Sequence, residues 1–342
     1  MNATKTIEEI AQLADVSRST VSRVLNEHPS VRPHVRERVL QVIQEQGYAP
    51  DAAARSLARR RSNIIGLVIP RSVAETFSDP FFGPVVHKLT EACMHHNYFL
   101  MLAMVTSDIE HDFYRQIVRS RHFDGVIMLS SDIDDPILPL MMKDNIPLVL
   151  FGGHPYLTQL SWVDVNQREG ARLAVQHLVG LGHRRIAHIT GLITMAAAQD
   201  RRDGYKQAVS EAGLVLRPDY IVEGDWSQRS GYLATNILLQ RPNPPTAIFI
   251  GNDSMCMGAI QAINEAGLKI PQDISLVGFD DLPTFAQYTS PRLTTIRQPI
   301  GDLAHQCVKL LLDQLAQDMP TPRHTIISPE LVIRDSTAVA HT

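Results

Sequence analysis

Thr6-Ile7-Glu8-Glu9-Ile10-Ala11 and Val16-Ser17-Arg18-Ser19-Thr20-Val21-Ser22-Arg23-Val24-Leu25-Asn26 decide how the chain begins to fold. Thr6 and Glu9 stand at capping-box spacing, so a helix starts at Ile7, with Ile7, Ile10, Ala11 and Ala14 on one stripe. It stops at Asp15-Val16, where Asp15 takes the tight turn because Asp tolerates left-handed backbone better than most residues. Ser17 then caps a second helix whose apolar side is Val21, Val24 and Leu25. Pro33 opens a third, with Val35, Val39, Val42 and Ile43 on one stripe, and Gly47 ends it.

Three short helices with a tight turn between the first two describe a helix-turn-helix, whose second helix enters the major groove of DNA. At 100° per residue, Ser19, Ser22, Arg23 and Asn26 fall opposite Val21, Val24 and Leu25, with Arg18 flanking them. Hydroxyls, an amide and guanidiniums can bond base edges and phosphates, and Arg is the usual bidentate reader of guanine. A plain helical bundle with a solvated polar face is the alternative that these residues alone leave open.

The charge distribution agrees with a polyanion partner for this region. The chain of 342 residues has a net charge of −4, yet residues 1–61 sum to +3 and the remainder to −7. A basic head precedes an acidic body. After Tyr48-Ala49-Pro50, Asp51 can cap a helix Ala52-Ala53-Ala54-Arg55-Ser56-Leu57-Ala58, followed by Arg59-Arg60-Arg61. Helices so short are marginal alone in water, so this segment is expected to order only against a partner.

Hydrophobic residues at 44% and charged residues at 20% place the chain among soluble globular proteins rather than disordered or fibrous ones. No run reaches the ~18 apolar residues of a spanning helix, and the first residues lack an apolar signal core, which predicts no membrane association and a cytoplasmic protein. Cys93, Cys256 and Cys307 are odd in number and without a CxxC pair, hence buried apolar residues rather than disulfides or zinc ligands. Histidines such as His95, His96, His183 and His188 show no HExxH spacing and read as core or surface residues. A P-loop, GxGxxG and GxSxG are absent, so enzymatic and cofactor readings lose their usual support, and no cofactor is expected.

From Asn63 the chain alternates apolar runs with amphipathic stretches. Ile64–Ile69, Tyr98–Leu102, Gly125–Leu129, Pro147–Phe151, Ile186–Ile189, Ala247–Ile250 and Ser275–Phe279 read as buried strands, with helical patterns between them. This is the signature of parallel sheets with crossover helices. About ten strands exceed one ordinary sheet, which points to two successive α/β lobes.

The head motifs, with Gly47-Tyr48-Ala49-Pro50 and Ala54-Arg55-Ser56-Leu57-Ala58, resemble the lactose/galactose repressor family of transcriptional regulators, and the resemblance runs to the C-terminus. It implies an all-α helix-turn-helix DNA-binding head over 1–50, a hinge over 51–61, and a two-lobed, periplasmic-binding-protein-like (type I) body. Lobe one would take 62–161 and 292–321, and lobe two 162–291 and 322–340. DNA contacts are implied at Thr6, Ser17, Arg18, Ser19, Thr20, Ser22, Arg23 and Asn26. In the hinge they fall at Ala54, Leu57 and Ala58, where the family's paired hinge helices use the Leu as a minor-groove wedge. Two departures stand out: Asp15 occupies a turn position where Gly is frequent, and Arg32 stands where a Ser commonly caps the third helix.

The resemblance further implies a homodimer on a pseudo-palindromic operator, controlled by a small-molecule effector between the lobes. Val332–Thr337 carries no leucine heptads, which predicts a dimer without a tetramerising tail. Sugar binding wants aromatic faces and forked polar groups at strand ends of an α/β cleft. Phe81 and Phe82 follow strand one, and Arg201, Trp226, Asn252 and Asp280 match the family's effector positions. Gly224-Asp225-Trp226-Ser227 with Ser230-Gly231 tilts the expectation toward a carbohydrate, with a purine or nucleoside as the alternative. The same residues have a plainer reading: Phe81 or Phe82 as core, Asn252 or Asp253 as helix cap. Gly152 replaces an acidic residue of the lactose repressor, so the hydroxyl contact made from there is not expected. A solute-binding protein would share the body but lack the head, and a sugar-acting enzyme would need a nucleophile or cofactor signature.

Overall fold

Residues 5–25, 28–48, 61–106, 109–118, 122–129, 132–317 and 321–340 are described by a computed structural model. Contacts divide the chain into two units, Met1–Ser62 and Asn63–Thr342.

In the first unit, α1 (Ile7–Leu13) opens on the expected capping box, the Glu9 amide donating to Thr6 Oγ1 at 3.3 Å and the Thr6 amide to Glu9 Oε2 at 2.6 Å. Asp15 adopts φ 48°, the left-handed turn its side chain tolerates. Ser17 Oγ accepts from the Thr20 amide at 3.2 Å at the start of α2 (Arg18–Leu25). Arg32 precedes α3 (Pro33–Glu45) without a side-chain cap, and Gly47 closes it at φ 58°. Ile10, Ala11, Ala14, Val21, Val24 and Val39 form the buried centre, one stripe from each helix.

The second unit holds two six-stranded sheets. The first contains β1 (Ile64–Ile69), β2 (Phe99–Met104), β3 (Gly125–Leu129), β4 (Leu148–Phe151), β5 (Ser161–Val165) and β11 (His324–Ile327), in the order β11-β5-β4-β3-β1-β2. The second contains β6 (Ile186–Thr190), β7 (Ile221–Glu223), β8 (Ala247–Ile250), β9 (Ser275–Asp280), β10 (Thr294–Arg297) and β12 (Glu330–Val332), in the order β12-β10-β9-β8-β6-β7. Every pairing is parallel except β10 with β12. Fully apolar strands such as β3 and β8 are buried on both faces, because helices cover each side of a parallel sheet. All three cysteines are buried and free.

The lobe boundaries differ from those expected. β5 pairs with β4 through Val149 and Ser161, so 161–165 stays in the first sheet. β10 pairs with β9 through Thr294 and Val277, and β11 with β5. The chain therefore crosses between the sheets at 165–167, 297–300 and 327–330 rather than at 161, 291 and 321. An apolar run announces a strand but carries no information about its neighbour. Residues 51–60 of the hinge, with Ala54, Leu57 and Ala58, lie outside the described residues, as does Asn26.

Candidate functional site

On the head, Ser17, Arg18, Ser19 and Arg23 are exposed and Thr20 and Ser22 half-buried, with Ser19, Ser22 and Arg23 on the side of α2 away from Val21 and Val24. Ser17 Oγ lies 2.8 Å from Ser19 Oγ and 2.9 Å from Thr20 Oγ1, a cluster of hydroxyls at the helix start. Arg18 Nε meets Glu8 Oε1 at 3.1 Å, both groups more than half exposed. Thr6 is exposed, its hydroxyl already engaged in the capping box. A polar, cationic helix face of this kind suits base edges and phosphates.

The second site is a cavity of about 100 Å³ between the two sheets. Its walls are built at the carboxyl ends of parallel strands: Arg71 beyond β1, Leu129 of β3, Gly152 and Gly153 after β4, Asp164 of β5, Asn252 after β8, Asp280 of β9 and Gln298 after β10. This is where an open α/β sheet leaves a crevice, because the connecting loops diverge to opposite faces.

Arg201, from the helix Ala196–Glu211, organises the floor. It is 4% exposed, which for an Arg demands paired partners. Its Nε donates to Gln167 Oε1 at 2.7 Å and its Nη1 to the Gly251 carbonyl, while Asp280 Oδ1 lies 4.0 Å away. Its plane rests 3.6 Å from the Phe279 ring centroid and 5.3 Å from that of Trp226. Burial pulls the guanidinium pKa down, and Asp280, Asp164 and Asp253 oppose it.

Asp164 and Asp280 face this cation, and Asp79 lines the same cavity beside Arg71. Asp164 accepts from the Gly153 amide (2.8 Å), the Val165 amide (2.7 Å) and Gln167 Nε2 (2.8 Å), and burial pushes it up to about 6. Burial likewise lifts Asp280 to about 7, against the Arg201 charge and a 2.6 Å bond from Gln298 Nε2. Asp79 is raised by burial, against the Phe81 amide and Arg71. Asp253 sits behind the wall, bound to the Leu282 amide at 2.8 Å and Thr295 Oγ1 at 2.7 Å, and burial with Asp280 nearby holds it well above the usual carboxylate range.

Phe81, Arg201, Trp226, Asn252 and Asp280 all line the cavity. Phe82 does not. It is 3% exposed and packs with Val85, Leu89 and Cys93, since the helix Phe82–His95 starts there and turns its 82, 85, 89 stripe inward. Asn252 serves both readings: its Oδ1 caps the next helix through the Met255 amide at 2.8 Å, and its Nδ2 holds the Trp226 carbonyl at 3.0 Å. Trp226 adopts φ 72°. Gly191 leaves room for its ring, since a Cβ there would fall 2.0 Å from it. Sequence reasoning missed Arg71, Asp164, Gln167 and Gln298; a polar residue closing an apolar strand was the available signal for Asp164.

A family model for bacterial regulatory proteins, lacI family, matches residues 6–51, and one for a periplasmic binding protein-like domain matches 175–337. The chain is 34% identical over 334 residues to the HTH-type transcriptional regulator CelR of Thermobifida fusca, with 97% of this chain and 98% of the relative covered. It belongs to the lacI family. This lacI-family chain is also 34% identical to the HTH-type transcriptional repressor PurR of Pasteurella multocida, over 97% of itself and 98% of the repressor. A solved CelR–cellobiose complex superposes with TM-score 0.77 at 33% identity, covering 97% of this chain and 99% of the other. The lac repressor dimer bound to operator and the anti-inducer ONPF superposes with TM-score 0.84 at 29% identity, covering 98% and 99%. As a lacI-family member, the chain is a DNA-binding transcriptional regulator with a helix-turn-helix head and a two-lobed type I body, and not an enzyme.

Proposed function

We propose that this regulator is a homodimeric, cytoplasmic repressor of carbohydrate-utilisation genes, whose grip on a pseudo-palindromic operator is set by a small sugar in the cavity between the sheets. The observation that carries the effector site is the Arg201–Trp226 pair, a guanidinium and an indole both from the second sheet's side, in one cavity with Phe81 from the first sheet's side. Sugar C–H faces rest on rings, and hydroxyls bond the polar groups beside them. The relative crystallised with cellobiose supports the carbohydrate class. On the DNA side, Arg18, Ser19 and Arg23 read bases, Thr6, Ser17, Thr20, Ser22 and Asn26 hold phosphates or bases, and Ala54, Leu57 and Ala58 enter the minor groove.

A ligand shifts DNA affinity only through its differential affinity for two lobe arrangements, typically about 1–3 kcal/mol of coupling. The test is a thermal-shift screen over sugars and purines, followed by operator titrations of Arg201→Ala and Trp226→Ala with the best compound. Saturating ligand at 100 Kd should add about 2.7 kcal/mol of stability. Both variants should need more ligand for the same response. Unchanged operator affinity together with unchanged ligand response in both would refute the pocket, and selective binding of a purine would replace the carbohydrate reading.

A further inference from the structure

Each of four polar residues lining the cavity is already bonded to the protein itself. Arg201 gives its Nε to Gln167 and its Nη1 to Gly251. Gln167 is occupied at both ends, accepting from Arg201 and donating to Asp164. Asn252 is occupied at both ends too, and Gln298 Nε2 donates to Asp280. Three carboxyls, of Asp79, Asp164 and Asp280, stand among the groups that line the space as acceptors.

The approach continues the pattern. A wider chamber of about 890 Å³ shares Arg71, Asp79 and Trp226 with the inner cavity. It adds Glu75, Asp132, Asp134, Asp135 and Asp225 against a single Arg229. Among the described residues, eight carboxyls and three guanidiniums line the two chambers. Low-dielectric walls of one sign focus the field and lower the local concentration of ligands of that sign.

We propose that the cavity selects an uncharged, polyhydroxyl ligand and rejects its carboxylate and phosphate counterparts, with Asp79, Asp164 and Asp280 as the specificity-determining acceptors. This rests on the carbohydrate reading above. A hydroxyl donates into a carboxylate and forms a charge-assisted bond, whereas an added anion meets like charge in a partly desolvated site. Arg71, whose guanidinium contacts Met195 Sδ at 3.4 Å and lies over the Phe82 ring, and the buried Arg201 are two cations against three lining acids.

The experiment uses the full chain at pH 8, with Trp fluorescence and thermal shift as readouts. The probes are matched sets differing in one group: glucose, glucuronate and glucose 6-phosphate; galactose and galacturonate; ribose and ribose 5-phosphate; with cellobiose as a neutral disaccharide. In every set that binds, the anionic member should bind about tenfold more weakly or worse, a difference of about 1.4 kcal/mol. Asp164→Asn and, at the cavity mouth, Asp79→Asn should each narrow that gap; if the first does not fold, the second decides. An anionic member binding as tightly as its neutral counterpart, or an unchanged gap in the folded variants, overturns the proposal. A screen in which no saccharide binds and a purine does removes the carbohydrate reading and this inference with it.

Discussion

Arg201 and Gln167 are joined by a 2.7 Å bond from the arginine Nε to the glutamine Oε1, which ties the second sheet's binding helix to the first crossing between the sheets. Gln167 continues to Asp164 at the end of β5, and Arg201 to Asp280, which Gln298 clamps at the second crossing. The cavity floor is thus one polar path of three hydrogen bonds and a 4.0 Å ion pair, spanning both sheets and two of the three crossings.

Gln167→Leu breaks that path without touching an exposed surface. It leaves a buried guanidinium N–H and a buried carboxylate each short of a partner, which should cost about 2–4 kcal/mol of stability. Urea denaturation measures that loss. Operator titrations with and without ligand should show weaker coupling, and an unchanged coupling would show that the path does not carry the signal.

Arg23→Ala should lower operator affinity by about 1–3 kcal/mol while leaving affinity for random DNA nearly unchanged. Equal losses on both would make Arg23 a phosphate contact. Fluorescence anisotropy on the two duplexes separates these outcomes.

Glu8→Gln should do the opposite on DNA. The Glu8–Arg18 pair is more than half exposed on both sides and contributes little to folding. Releasing Arg18 and removing an anion beside the phosphates should tighten operator binding about two- to fivefold, most clearly at low salt. Operator affinity equal to or weaker than wild type would argue that Glu8 positions Arg18 for its contact.

Gly258→Ala tests the helix contact behind the cavity. A Cβ at Gly258 would fall 1.9 Å from the Gln228 carbonyl oxygen, and one at Gly231 2.1 Å from the Met255 carbonyl oxygen. Backbone cannot retreat as a side chain can, so the variant should lose about 3 kcal/mol. Because these helices start at Ser227 and Asn252, beside Trp226, ligand affinity should fall as well. Wild-type melting and ligand binding would show that the two helices separate freely.

His188 should set part of the acid sensitivity. Its ring stacks on Phe249 at 4.6 Å, its Nδ1 donates to the Phe249 carbonyl at 2.9 Å, and burial depresses its pKa to about 3. The unfolded chain, with an ordinary histidine, takes up a proton below about pH 6.5 that the folded protein refuses. This contribution to stability is therefore present above pH 6.5 and lost as pH falls, by about 2 kcal/mol at pH 5. His188→Gln should lose about that much less stability than wild type between pH 7 and 5, by chemical denaturation at both values. Identical slopes would show that His188 is not the group responsible.

Local chemistry was legible without tertiary structure. The Thr6–Glu9 box, the Asp15 turn, the Ser17 cap and the polar face of α2 each depend on residues within four positions of one another, so the helix-turn-helix could be read directly. Buried strands showed through their apolar runs, and Arg201, Trp226, Asn252, Asp280 and Phe81 through their resemblance to a known pattern. Only the tertiary structure decided the rest, because it turns on partners far away in the chain. Whether Ser161–Val165 joins the first sheet depends on Val149, and whether Phe82 faces the cavity depends on where its helix begins. Asp164, Gln167 and Gln298 become site residues only because Arg201 and Asp280 arrive from the second sheet to meet them, a juxtaposition that no local spacing encodes.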